Sequence, residues 1–256
     1  MTEWNAPGYA RIAALQEAMA AEVLALLDVK GNERVLDLGC GNGKVTAEVA
    51  ARVPEGSVVG VDASAEMIAF ASEHFGAPNL RFETCDIRKL GFAGEFDLVV
   101  SFNALHWIPD QQVALQAIRR AMKPDALAQL RLVPDGERKS LETVLEETRK
   151  SSRWSAHFSD FRDPYLHLTP DAYAALAKGN ELRVRDLHVG DKSWDFSSRE
   201  GFQAFGAVTF VEWSKRLPES KRPEFVKDVL ERYASVAGDD HTFRFYQMDV
   251  TLARQA

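Results

Sequence analysis

The stretch VLDLGCGNGKVT, residues 35–46, decides how the rest of the chain is read. A short apolar run carrying one acid, Asp37, enters three alternate glycines, Gly39, Gly41 and Gly43, and then a helix-like segment. Glycine loses the most freedom on folding, so such a cluster marks a place where backbone must turn sharply or approach something closely. Strand, glycine-rich turn and helix in succession open a βαβ unit. In open α/β sheets, ligands bind beyond the carboxyl ends of the strands, near the point where strand order reverses.

Working outward, apolar runs at 58–61, 80–83, 96–101 and 127–133 read as further short buried strands. Helix patterns at 44–52, 65–75 and 111–122 alternate with them, and in the second Met67, Ile68, Ala71 and Phe75 share one face. Strict alternation predicts parallel pairing through crossover helices. A helix at 9–27 precedes the first strand, with Ile12, Leu15, Met19, Val23 and Leu26 as its apolar stripe. After residue 134 come helix patterns at 139–151, 170–178, 198–215 and 219–236, with strands at 182–189 and 242–254. The expected fold is α/β, a doubly wound, seven-stranded, mostly parallel sheet. No repeat or low-complexity linker divides it, so a single domain over 1–256 is expected. Its cofactor-binding core would span residues 33–133, and segments 137–180 and 197–236 would form a helical cap over the active site.

Composition narrows the function. With 46% hydrophobic and 27% charged residues the chain is an ordinary globular protein, and no apolar run reaches the roughly 20 residues of a membrane span. The N-terminal stretch lacks the basic flank and apolar core of a signal peptide, so a cytoplasmic location is expected. A net charge of −7 argues against nucleic-acid or anionic-membrane partners. The two cysteines form no CxxC pair and the six histidines no HExxH, so neither a disulfide framework nor a metal site is expected. Oligomeric state has no signature here.

The bland reading of the glycines is a tight turn with Asp62, in VVGVD, as a helix cap. An acid at the end of the second strand is also placed to take both hydroxyls of a ribose. A dinucleotide fingerprint would need a third glycine where Lys44 stands, and no GxxxxGK[ST] run occurs. Asp37 would repel a pyrophosphate and suits a cationic ligand. The order D-x-G-x-G-x-G, Asp62, Met67 in DASAEM, Asp86-Ile87 after FETC and FDLVVS at 96–101 resembles the class I S-adenosylmethionine-dependent methyltransferases. That resemblance covers about residues 33–133. It implies S-adenosylmethionine as cofactor, held by Asp37, Gly39, Cys40, Gly41, Gly43, Asp62, Ala63, Met67, Asp86, Ile87 and Ser101. One departure stands out: the family commonly has Gly-Gly before its fifth strand, and here Asp125-Ala126 follows Lys123-Pro124. A positive φ at either residue would cost on the order of 1 kcal/mol.

No Asp-Pro-Pro-Tyr-like or Asn-Pro-Pro-Tyr-like tetrad follows the fourth strand, which argues against DNA bases and amide nitrogens as acceptors. SFNALHWIPD, residues 101–110, instead resembles the juvenile hormone acid and trans-aconitate carboxyl O-methyltransferases. The Tyr9-x6-Gln16 spacing, GNGKVT, SFNALHWI-x-DQQ and RW…F…PY are closest to the first type; WNAPGYARI is similar to the second, which has arginine near position 16. The resemblance implies esterification of a small carboxylic acid, with Gln16, His106 and Trp107 at the reacting end. His106 and Trp107 would orient the carboxylate by N–H donation rather than remove a proton. Tyr9, Trp154, His157, Phe158, Tyr165 and Trp213 would line the substrate pocket, while Arg131, Arg153 and Arg162 leave a polyacid open. Alternatives are transfer to carbon or hydroxyl, or a catalytically silent cofactor-binding protein.

Overall fold

The computed structural model describes the backbone of residues 6–255 and the side chains of 14–255. Helix α1 (Ala6–Ala25) leads into β1 (Arg34–Leu38), α2 (Lys44–Arg52), β2 (Ser57–Asp62), α3 (Ala65–His74), β3 (Leu80–Thr84), β4 (Phe96–Phe102), α4 (Gln111–Ala121) and β5 (Met122–Leu132). Then come α5 (Leu141–Arg149), α6 (Pro170–Gly179), β6 (Leu182–Asp195), α7 (Arg199–Thr209), α8 (Val211–Ser214), α9 (Arg222–Ala237) and β7 (Thr242–Arg254). The seven strands lie in the order β3-β2-β1-β4-β5-β7-β6. Neighbours among β1–β5 are parallel and β7 runs antiparallel to β5. Chain order reverses between β1 and β4, so the loops after these two strands flank the switch point.

Period-two alternation gives the sheet a core on each face. Val35, Leu98 and Val100 pack with Val23 and Leu24 of α1 and Val49 and Ala50 of α2. Leu36, Leu38, Val99, Leu130, Leu132 and Met248 pack on the other face with Ala114, Leu115 and Ile118 of α4 and Tyr173 of α6. Burial on both faces explains why β1, β2 and β4 read as near-continuous apolar runs.

The chain divides into two compact units. The sheet unit comprises Ala20–Pro134, Pro164–Gly190 and Gln247–Ala256. Residues 164–180, expected within the first cap segment, thus belong with the sheet, where Tyr173 and Ala177 are fully buried in its core. The second unit holds Asp135–Asp163 and Asp191–Tyr246, with the described residues before Ala20. Its interior is aromatic: Trp154, Trp213, Phe202, Phe225 and Tyr233 are all buried. The polar ends of these rings are matched internally, Trp154 Nε1 donating to Asp228 at 2.6 Å and Trp213 Nε1 to Glu146 at 2.6 Å. Arg149 grips the same Glu146, and although burial opposes ionisation, these donors hold its carboxyl below the ordinary value.

Two boundaries differ from the sequence reading for local reasons. The helix expected at 198–215 breaks at Phe210, the buried residue that joins α7 to α8. β5 begins at Met122 because the register against β4 shifts: Phe96 faces Met122, yet Leu98 faces Leu127. The irregularity absorbs Pro124 and Asp125. Among the described residues positive φ outside glycine occurs at Asn103, Glu181 and Ser197, so the strain considered for Asp125 and Ala126 does not arise.

Candidate active site

The glycine loop is fixed before any side chain acts. Gly39 and Cys40 N–H both donate to Val61 O, at 2.8 and 3.0 Å, which folds the loop over the end of β2. Gly39 has φ 75°, and a Cβ there would collide with that of Ala104 in the loop after β4. Gly41 differs, because a Cβ built there meets nothing within 4 Å. The face it leaves bare is open to a ligand.

Asp62 is bound into this loop. Its Oδ2 accepts from Gly41 N–H at 3.0 Å and its Oδ1 from Ser64 N–H at 2.8 Å. The cap of α3 is Ser64, which accepts from Met67 N–H at 3.3 Å, so Asp62 is free of that duty. A carboxylate has about four acceptor positions; those left over can take hydroxyls. Gly39, Asp62 and Ala63 line one side of a cavity of about 420 Å³. Asp86, Ile87 and Arg88 line another part, and the loop after β4 the rest, through Asn103, Ala104 and residues 107–109. Arg88 clasps Asp86 at 2.6 Å and holds its carboxyl below the ordinary value.

Asp37 tests whether the site suits a cationic cofactor. Its carboxyl is 2% exposed, with one hydrogen bond, from Thr46 Oγ1 at 2.7 Å. Burial pushes its pKa up to about 6, the Thr46 bond opposes this, and the charge of Asp62 adds to it. No cationic group of the described residues is among these influences. A buried acid without a cation beside an open glycine face fits a ligand bearing ammonium and sulfonium charges.

The loop after β4 is held by its own residues. Asn103 takes φ 58°, a conformation asparagine tolerates better than most, and its N–H donates to Arg131 O at 2.8 Å. Buried Gln111 Nε2 bonds Leu105 O and Ile108 O, pinning the 3-10 turn Leu105–Trp107. His106 is buried, and its Nδ1 accepts from Val133 N–H at 3.5 Å. Burial, with a smaller effect from His167, pushes its pKa down to about 3. Leu166 N–H donates to His106 O at 2.8 Å, which brings Tyr165 onto Trp107 with ring centroids 4.0 Å apart. Trp107 thus lines the cavity, with the ring of Tyr165 packed on its own.

Several expected residues lie elsewhere. Ser101 is fully buried and its hydroxyl donates to Leu38 O at 2.8 Å, so it ties β4 to β1 instead of facing the cavity. Cys40 is buried, with its Sγ against Gly41 O and its thiol pushed up by burial. Met67 is 46% exposed on α3 and outside the cavity lining. Gln16 is exposed on α1, and the side chain of Tyr9 lies outside the described residues. Trp154, Phe158 and Trp213 are interior to the second unit, the indole N–H groups of the two tryptophans already taken, and half-buried His157 meets Lys221 at 3.2 Å. These three large rings pack on Phe161 and Phe225 in the unit's own aromatic interior. Arg131 is 3% exposed and committed to Asp249 and Glu22. Sequence reasoning missed Asn103 and Ala104; the only signals were asparagine at a strand end and a small residue opposite Gly39.

A family model described as Methyltransferase domain matches residues 35–125. The chain is 34% identical over 215 residues to the trans-aconitate 2-methyltransferase of Deinococcus radiodurans, covering 83% of this chain and 79% of the relative. It is 29% identical over 252 residues to the protein of that name from Delftia acidovorans, covering 93% and 92%. Phosphoethanolamine N-methyltransferase 2 of Haemonchus contortus, solved with phosphomonomethylethanolamine and S-adenosylhomocysteine, superposes with TM-score 0.62 at 18% identity, over 94% of this chain and 53% of that one. With the open glycine face, the anchored Asp62 and the buried Asp37, these likenesses assign the cofactor as S-adenosylmethionine. The chain belongs to the class I S-adenosylmethionine-dependent methyltransferases, in the branch that includes the trans-aconitate 2-methyltransferases.

Proposed function

We propose that this methyltransferase esterifies a carboxylate of a small organic acid. The observation that carries the reading is the state of His106. Because Nδ1 accepts from Val133 N–H, the ring proton belongs on Nε2, and a pKa of about 3 keeps the ring neutral at physiological pH. Such an imidazole donates a hydrogen bond and does not collect a proton. Bound S-adenosylmethionine supplies an electrophilic methyl group. A hydroxyl or thiol acceptor would need a base in the site, whereas a carboxylic acid is ionised near pH 4 and needs only orientation and exclusion of water.

In this reading Trp107 donates its indole N–H to the acid, His106 holds the turn and donates where it can be reached, and Tyr165 closes an apolar wall over the acceptor. Gln16 is assigned to the acid from the resemblance alone. Arg131 and Arg153 are already paired to acids, which favours an acid bound through one carboxylate and an apolar remainder over a polyacid. The names of the relatives support a small acid. The test is incubation with methyl-labelled cofactor and a panel of trans-aconitate, aliphatic, prenyl-type and aromatic acids and phenols. Label released by mild alkali identifies a methyl ester and is the expected result. Alkali-stable label on oxygen or carbon, or binding of cofactor without turnover on any member, overturns the reading.

A further inference from the structure

β7 carries an amide that its surroundings leave unused. Gln247 is 1% exposed, and neither its Nε2 nor its Oε1 has a hydrogen-bond partner. Burying both ends of an amide without partners is costly, and a trapped water offsets the cost only where other polar groups share it. Such a residue in the middle of a sheet calls for a ligand or for replacement by leucine.

Its position favours a ligand. β5 and β7 pair through Leu132 and Met248, and Gln247 lies one step beyond, alongside Val133, at the carboxyl ends of the parallel strands. Alternation sets Gln247 on the face of Asp249, whose carboxylate holds Arg131 together with Glu22 of α1. Across β5 from it stands the loop after β4: Asn103 N–H donates to Arg131 O, and Val133 N–H to His106 Nδ1. Adjacent strands are about 4.8 Å apart, so the backbone at 247 is about 10 Å from that loop, within reach of a glutamine side chain and a small molecule together. Asn103, which lines the cavity, also has its buried Oδ1 without a partner. An unspent amide at Gln247 and an unpartnered amide oxygen at Asn103 thus flank the end of one strand.

We infer that Gln247 is a substrate-binding residue whose Nε2–H donates to the acceptor carboxylate from the α1 face of the sheet. The inference rests on the carboxyl reading above. Its test is Gln247→Leu, which keeps the bulk and removes the amide. The acceptor KM should rise at least tenfold while the cofactor Kd stays within twofold by calorimetry. The melting temperature should hold or rise, because an unsatisfied buried group is gone. A KM within twofold of wild type overturns the inference and leaves the amide a structural oddity. Should the variant fail to fold, ¹⁵N-labelled wild type is titrated with S-adenosylhomocysteine and then with the acid that it methylates. A shift of the Gln247 side-chain amide on the second addition supports the role, and no shift overturns it. If wild type methylates only non-acids, the carboxyl reading fails by itself; an unchanged KM for that acceptor in Gln247→Leu then removes Gln247 as well.

Discussion

Replacing Asp37 by asparagine should make the protein more stable and a worse enzyme, and the size of both effects follows from its surroundings. The folded carboxyl is raised from 3.8 to about 6 by burial. At about 1.36 kcal/mol per pKa unit, that difference is worth about 3 kcal/mol. The folded state binds this proton more tightly than the unfolded one. Its contribution is therefore complete below pH 4 and is lost as pH rises through 6. At pH 8 the fold carries a buried, ionised carboxylate with no cation.

Asparagine keeps the shape and can still accept from Thr46, but it does not ionise. Without cofactor, Asp37→Asn should gain up to about 3 kcal/mol over wild type at pH 8, and the two should converge near pH 4. For a chain of this size about 2–4 °C accompanies each kcal/mol, so calorimetric melting should shift upward by about 6–12 °C at pH 8. Cofactor affinity should move the other way. A cationic ligand favours the ionised acid, so wild-type affinity should strengthen from pH 5 to about 7 and then level, while the variant binds at least tenfold more weakly with little pH dependence. A variant destabilised at pH 8, or one that binds S-adenosylmethionine as tightly as wild type, refutes this account of Asp37.

Asp62→Asn should weaken cofactor binding about 10- to 150-fold by calorimetry, the loss of charge-assisted bonds worth about 1.5–3 kcal/mol; the amide's single oxygen leaves an acceptor for only one of the Gly41 and Ser64 N–H groups. Trp107→Phe should lower kcat/KM by about the same factor at constant cofactor Kd, since it removes the indole N–H while keeping an aromatic ring against Tyr165. His106→Gln retains a donor and should keep most of the activity; the wild-type rate should show no inflection near pH 6.5, because burial pushes the His106 pKa down to about 3. A rate that climbs through pH 6.5 would restore His106 as a base.

The cofactor half of the site was legible because its chemistry is written in backbone demands. Gly39, Gly41 and Asp62 sit at fixed offsets from strands that are themselves apolar runs, so order alone located them. Ser101 misled because its place at the end of a strand does not show that its hydroxyl turns back to Leu38. The acceptor half was harder. Trp154, Phe158 and Trp213 have the composition of a ligand pocket, yet composition cannot tell a pocket from a small aromatic core whose N–H groups meet Asp228 and Glu146. Arg131 looked available for a polyacid until its partners, more than 100 residues away in sequence, became visible. Long-range pairing of this kind leaves no local pattern.

Buried polar atoms without partners at Asp37's end of the sheet invite a control, since Tyr173 in the same unit has one too. Its ring is fully buried in the core beneath α6, and its hydroxyl has no hydrogen-bond partner. Burial alone pushes the phenol upward. Nothing places it at the cavity, so Tyr173→Phe should remove an unsatisfied hydroxyl and disturb no ligand. The expected gain is about 1–3 kcal/mol, read as a higher melting temperature, with kcat, acceptor KM and cofactor Kd unchanged. The contrast with Asp37→Asn and Gln247→Leu is the point of the measurement. All three remove an uncompensated buried group and should not weaken the fold, but only the two at the carboxyl edge should damage binding. If Tyr173→Phe destabilises the protein, the hydroxyl is bonded to a buried water. An unpartnered atom would then no longer mark a missing ligand, and the inference from Gln247 would have to stand on its KM alone.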